Sequence, residues 1–261
     1  MTQAILFGLL ASSAFPIGVA LGLLLNLPKR LIASVIAFGA GVLVVALTGE
    51  LMAEAVEEGS VHWAMGGLFA GAIVYILLDV LLDKAADESP RVAGRHAEDV
   101  HSGAAAIPET KAEATVSGMA VLVGSVLDGI PENAAIGMGL ASELGPELGL
   151  VLLAAVFLSN LPAAIASSAG MRKAGRSTAY IVIAWALVSV ACTLSCVAGF
   201  LFLGTLPDSG KSFMLAFAAG GILAMLADTM FPEAFRNGGP WVALATTFGF
   251  ACAFLLSHFA G

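Results

Sequence analysis

Eight stretches of this chain are apolar for long enough to cross a lipid bilayer, and one long polar segment separates the third from the fourth. A helix needs about 20 apolar residues to span the ~30 Å hydrocarbon core. The stretches cover residues 3–26, 31–56, 62–83, 116–141, 146–170, 178–204, 212–235 and 240–260. No water is available there, so each segment must satisfy its own backbone hydrogen bonds, which selects helices. The expected fold is an all-α membrane protein with eight transmembrane helices. Composition agrees: of 261 residues, 59% are hydrophobic and 11% charged, with a mean hydropathy of +0.97. Soluble domains carry about 25% charged residues.

Four segments follow: helices one to three over 1–83, a flexible cytoplasmic loop over 84–115, helices four and five over 116–170, and helices six to eight over 171–261. The first stretch lacks a basic leader and is expected to be retained as a span rather than cleaved. Basic residues set the orientation. Lys29, Arg30, Lys84, Arg91, Arg95, Lys111, Arg172, Lys173, Arg176 and Arg236 all fall on one side of an eight-helix layout, and Lys211 falls on the other. The positive-inside rule makes the first side cytoplasmic and both termini external, in the cytoplasmic (inner) membrane. The net charge of -8 lies largely in and beside the spans and gives no reason to expect a nucleic-acid partner. The expected partners are the lipid bilayer and the transported ion. Cys192, Cys196 and Cys252 lie in apolar runs and form no disulfide framework.

Span four contains Asp128-Gly129-Ile130-Pro131-Glu132-Asn133. A carboxylate at bilayer depth costs about 2.5–3.5 kcal/mol on insertion scales. Asp128 and Glu132 are one helical turn apart and share a face. Pro131 removes a backbone donor between them and frees a carbonyl. Acid beside loosened backbone is what a cation or proton site in a membrane requires. Span five offers a counterpart in Ser159-Asn160-Leu161-Pro162-Ala163, again with a mid-span proline and polar residues just before it. Broken helices in corresponding positions point to a transport site.

A second internal likeness joins spans two and seven. Phe38-Gly39-Ala40-Gly41 matches Phe217-Ala218-Ala219-Gly220, Leu47 matches Leu226, and Glu54-Ala55 matches Glu233-Ala234. The two spans run in opposite directions in the layout, so the repeats are expected to be inverted. Glu50 and Asp228 lie deeper in these spans and are candidates for the ion path. Glu54 and Glu233 suit either the path or the interface. Glu57, Glu58, Glu143, Glu147 and Asp208 read as interfacial, and Asp79 and Asp83 as a solvated rim.

Together these motifs resemble the ZIP family of divalent-metal transporters, as a divergent bacterial member. The residues carrying the resemblance are Asp128-Gly129-Ile130-Pro131-Glu132-Asn133, Ser159-Asn160-Leu161-Pro162-Ala163, Glu50-Leu51-Met52-Ala53-Glu54-Ala55 and Phe231-Pro232-Glu233-Ala234. The resemblance implies a 3+2+3 arrangement of helices, a metal held between helices four and five, and a homodimer. By position, Asp128 stands at the family's histidine and Glu132 at its bridging glutamate, while Ser159 and Asn160 stand at the first polar pair of helix five. Gly129 replaces the usual asparagine, Ala163 stands at the second bridging glutamate, and Cys192 or Thr193 falls near a glutamate of helix six.

The expected metal-site residues are therefore Asp128, Glu132, Asn160, Ser159, Glu50, Glu54, Asp228 and Glu233. Their oxygen donors suit manganese or iron(II), and zinc or cadmium also fit the implied family. The ion is cargo, and no resident cofactor is expected. The expected function is transport of divalent transition-metal ions (zinc, iron, manganese or cadmium) toward the cytoplasm. The competing reading is a proton-coupled carrier of a non-metal substrate using the same carboxylates. An enzyme is not expected: the chain shows no Gly-x-Gly-Asp run for an intramembrane aspartyl protease and no phosphate-binding loop for a nucleotide-driven pump.

Overall fold

The computed structural model describes residues 1–25, 27–87, 129–141, 146–173, 175–203 and 205–260. Among the described residues every regular element is helical. Helices α1 (Thr2–Ser12) and α2 (Ala14–Leu24) form one bent span. The bend follows from Pro16, which has no amide to give the Ser12 carbonyl one turn earlier. Ser189 fills that vacancy, donating to the Ser12 carbonyl at 3.1 Å. Helix α3 (Lys29–Val45) continues through a π-turn (Ala46–Leu51) into α4 (Met52–Glu58). Then come α5 (Val61–Asp87), α6 (residues 129–141), α7 (Pro146–Lys173) and α8 (Thr178–Leu203). Helix α9 (Asp208–Met225) passes through a second π-turn (Leu226–Met230) into α10 (Phe231–Gly238), and α11 (Val242–Ala260) ends the chain.

Six described stretches are long and apolar enough to cross a membrane, so this is a multi-pass membrane protein. The last, Asp208–His258, has 51 residues. At 1.5 Å per residue that is about 77 Å of helix, far more than one crossing needs. It doubles back at Gly239, whose φ of 70° suits glycine, so that α9 lies along α5 while α11 lies along α3. The expected loop boundary at 84 shifts, because α5 runs on to Asp87. The rest of the 84–115 loop and the first half of span four lie outside the described residues.

Glycines set the spacing of the helices, and they do so in matched sets. Gly41 abuts the Thr246 carbonyl and Gly249 abuts the Phe38 carbonyl, which locks α3 to α11. Gly220 abuts the Leu68 carbonyl and Gly71 abuts the Phe217 carbonyl, which locks α9 to α5. These are the same contacts after a constant shift: 38 to 217 and 41 to 220 differ by 179, while 68 to 246 and 71 to 249 differ by 178. Gly59 lies against Ser212, and Gly238 against Ala33, again 179 apart on both sides. The end of each π-turn-bearing span thus touches the start of the other, so the two run antiparallel. Pro28 opens α3 and Pro207 opens α9 at that same shift. A glycine in a helix costs about 0.8–1 kcal/mol relative to alanine, and close backbone packing offsets it where lipid supplies no hydrophobic drive between helices.

The central helices obey the same rule. Gly22 abuts the Ile165 carbonyl, joining α2 to α7, and Gly199 abuts the Ala134 carbonyl, joining α8 to α6. Gly18 sits against the Leu161 carbonyl, and Ser195 donates to the Ile130 carbonyl at 2.6 Å. Here 22 to 199 and 18 to 195 differ by 177, and 134 to 165 and 130 to 161 by 31. The shift of 31 superposes Pro131 on Pro162 and Glu132 on Ala163.

Candidate functional site between two proline-broken helices

Helices α6 and α7 each carry a proline deep in an apolar segment. Pro162 leaves the Leu158 carbonyl without its usual i+4 donor. Gly39 of α3 packs on that point: a Cβ at Gly39 would lie 3.1 Å from the Leu158 carbonyl oxygen and 3.2 Å from the Ser159 nitrogen. The absence of a side chain at 39 lets α3 back directly onto the loosened turn of α7.

Glu132, only 1% exposed, points from α6 to that turn. Asn160 Nδ2 donates to Glu132 Oε2 at 3.1 Å. The Ser159 hydroxyl lies 3.3 Å from Oε1 and 3.4 Å from Oε2, and 2.9 Å from the Val156 carbonyl. Asn160 and Ser159 are buried as well. Three of the expected site residues therefore meet in one place, where a buried carboxylate is held by an amide and a hydroxyl across the two broken helices. Hydrogen bonds to a charged group contribute about 1.5–3 kcal/mol, enough to fix the carboxylate's orientation. Three oxygens meet there, two from the carboxylate and one from the Ser159 hydroxyl, with the Asn160 amide bonded to the same carboxylate. Such a set suits a divalent cation that must bind and leave.

Asp128 lies outside the described residues. Glu50, at the end of the first π-turn, is buried and accepts a hydrogen bond from Ser257 of α11 at 2.6 Å. Glu54 is buried in α4, Asp228 is exposed on the second π-turn, and Glu233 is half-buried in α10. Ser159 and Asn160 thus meet Glu132, while Glu50 is bonded by Ser257, which lies outside the expected set. Among the described residues, no group of three or more His, Cys, Asp or Glu side chains could hold a metal ion. The centre at Glu132 accordingly rests on one acid with neutral oxygen donors.

Two departures from the family pattern have a visible cause or setting. A Cβ at position 129 would lie 2.8 Å from Cys192 Sγ and 3.2 Å from Phe15 Cζ, so an asparagine side chain has no room where Gly129 stands. Ala163, at the place of the second glutamate, is half-buried and packs against Ala166.

Of four polar residues beside the site, Ser12 and Ser189 escaped the sequence reading, while Asn133 entered it only as part of the span-four motif and Thr193 only as a neighbour of a helix-six position. Asn133 and Ser12 are fully buried, and Thr193 and Ser189 stand beside them on α8. Ser12, Ser189 and Thr193 lie in mostly apolar runs, where a small polar residue ordinarily marks helix packing. The only advance signal was Pro16, whose missing amide obliges something to bond the Ser12 carbonyl.

No family model matches the chain. Over 223 residues, or 84% of its length, it is 26% identical to an Arabidopsis thaliana protein named a putative zinc transporter. That likeness agrees with the ZIP resemblance. The chain spans about a third of the length of this relative, since the match covers 32% of it.

Proposed function

We propose that this ZIP-like chain carries divalent transition-metal ions across a membrane, toward the cytoplasm, through the site between α6 and α7. The observation that carries the reading is Glu132: a carboxylate buried between two proline-broken helices and held by Asn160 and Ser159. A bilayer protein keeps such a group at a cost, and a transported cation would recover it. The likeness to a protein named a putative zinc transporter supports zinc among the cargoes, with cadmium, manganese and iron(II) as chemical neighbours. The recurring contacts support a reading of two inverted copies of three helices flanking α6 and α7, that is eight spans in a 3+2+3 arrangement, and the distribution of basic residues supports both termini outside the inner membrane. The metal is substrate, and Glu50, Glu54, Asp128, Asp228 and Glu233 would form its path or a second position. A homodimer would follow from the family resemblance alone.

The deciding experiment is metal uptake into proteoliposomes, comparing this chain with Glu132→Gln for zinc, cadmium, manganese and iron(II). Saturable uptake that Glu132→Gln abolishes supports the reading. Proton flux that requires Glu132 in the absence of any metal uptake would overturn it in favour of a proton-coupled carrier.

A further inference from the structure

The other side of α6 carries a hydrogen-bonded chain that the transport reading leaves unused. Asn133 follows Glu132 and projects about 100° around the helix from it, away from α7. It is fully buried. Its Nδ2 donates to the Gly129 carbonyl at 2.8 Å, and its Oδ1 lies 3.5 Å from the Ser12 hydroxyl. That hydroxyl lies 3.4 Å from Thr193 Oγ1, and Thr193 also donates to the Ser189 carbonyl at 2.9 Å. Ser189 in turn donates to the Ser12 carbonyl left free by Pro16. The chain therefore runs from the first described turn of α6 to the bend between α1 and α2, and on to α8.

Its place in α6 gives it a task. Pro131, which has no amide to reach back one turn, lies in the first described turn of α6, and Asn133 Nδ2 adds a side-chain bond to the Gly129 carbonyl of that turn. The Gly129–Asn133 turn is the one that carries Glu132. Gly129 contributes no side chain, because Cys192 and Phe15 occupy that space. The amide that the family places at this point is thus absent, and an amide one turn later bonds the Gly129 carbonyl instead. Ser195 adds a second tie on the same turn through the Ile130 carbonyl.

We propose that Asn133 is a positioning residue, which clamps the Gly129–Asn133 turn of α6 and, anchored through Ser12 to α1 and α8, holds Glu132 in register with Asn160 and Ser159. It does not touch the cargo. The consequence for metal rests on the transport reading; the clamp itself does not. Groups that orient a metal-binding side chain by hydrogen bonds typically change metal affinity 10- to 100-fold when removed.

The test uses the full chain in detergent, with zinc, cadmium or manganese as the added probe, and two readouts. The first is hydrogen exchange over residues 129–141 without metal. Asn133→Leu should speed exchange there and leave α5 and α9 unchanged. The second is metal affinity, which Asn133→Leu should weaken at least 10-fold. That loss should vanish in a Glu132→Gln background, where no carboxylate remains to be positioned. Ser12→Ala removes only the outer anchor, should show the same effects more weakly, and serves if Asn133→Leu fails to fold. Unchanged exchange over 129–141, or an equal affinity loss with and without Glu132, overturns the proposal. Faster exchange in a chain whose wild type binds none of the three metals sustains the clamp and removes the transport reading.

Discussion

Gly71 and Gly66 lie on the same helix, both face α9, and differ in what an added methyl group would meet. At Gly66 the nearest atoms are on the Phe213 ring at 3.9 Å, an ordinary contact with a side chain. At Gly71 the nearest atom is the Phe217 carbonyl oxygen, well inside van der Waals contact and part of the backbone. Alanine gains about 0.8–1 kcal/mol of helix propensity at either position. At Gly66 little opposes the gain, so Gly66→Ala should stabilise by up to about 1 kcal/mol. At Gly71 the methyl can be accommodated only if α5 and α9 separate. Overpacking costs about 1–3 kcal/mol, and an immovable carbonyl puts this case near the top of that range. The net loss for Gly71→Ala is then about 2 kcal/mol. With about 2–4 °C per kcal/mol for a chain of this size, Tm should fall by roughly 4–8 °C for Gly71→Ala and rise by up to roughly 4 °C for Gly66→Ala. Gly249 meets the Phe38 carbonyl as Gly71 meets that of Phe217, so Gly249→Ala should match Gly71→Ala to within about 1 kcal/mol. The assay is thermal unfolding of the purified chain in detergent. Shifts of the same sign for Gly66→Ala and Gly71→Ala would refute the argument that close backbone approach selects these glycines.

Three further outcomes are expected. Ala163→Glu places a carboxylate at the position equivalent to Glu132 and should tighten zinc binding by at least tenfold, measured by equilibrium dialysis; unchanged affinity would show that this side of α7 does not face the cation. Asn160→Ala leaves Glu132 Oε2 without its amide donor and should lower zinc uptake roughly 10-fold or more at sub-saturating zinc, while Asn160→Gln recovers part of it; equal rates for wild type and both variants would contradict the assignment. Lys211 lies 3.0 Å from Glu58 and 3.3 Å from Asp208, tying the α4–α5 turn to the start of α9, so Lys211→Met should lower Tm in low salt and lower it less as salt rises. A salt-independent difference would mean that packing, not charge, is what Lys211 supplies.

The all-helical, membrane-spanning character was legible because hydropathy is a property of consecutive residues, and so was the meeting of Glu132 with Ser159 and Asn160. A proline with polar neighbours at fixed spacing marks a broken helix wherever it lies. The chain through Ser12, Asn133, Ser189 and Thr193 was not legible. Its members are far apart in sequence, and no local pattern separates them from serines and threonines that merely pack. The π-turns also left no local signature, since they change the helical period for a single turn inside runs that are apolar on every side. Gly129 could be seen as a departure from the family motif, but its reason, the crowding of Cys192 and Phe15, exists only once α2, α6 and α8 are assembled.

The two π-turns have a bearing on the chain's history. A π-turn holds one residue more than an α-turn, so a single-residue insertion in a helix can produce one. Leu47 in the first and Leu226 in the second are separated by the same 179 positions as Pro28 and Pro207, which open their helices, and as Gly59 and Gly238 near their ends. Two independent insertions would have had to fall on the same register. One insertion in the ancestor of the two three-helix copies, made before they doubled, would account for the pair with a single event.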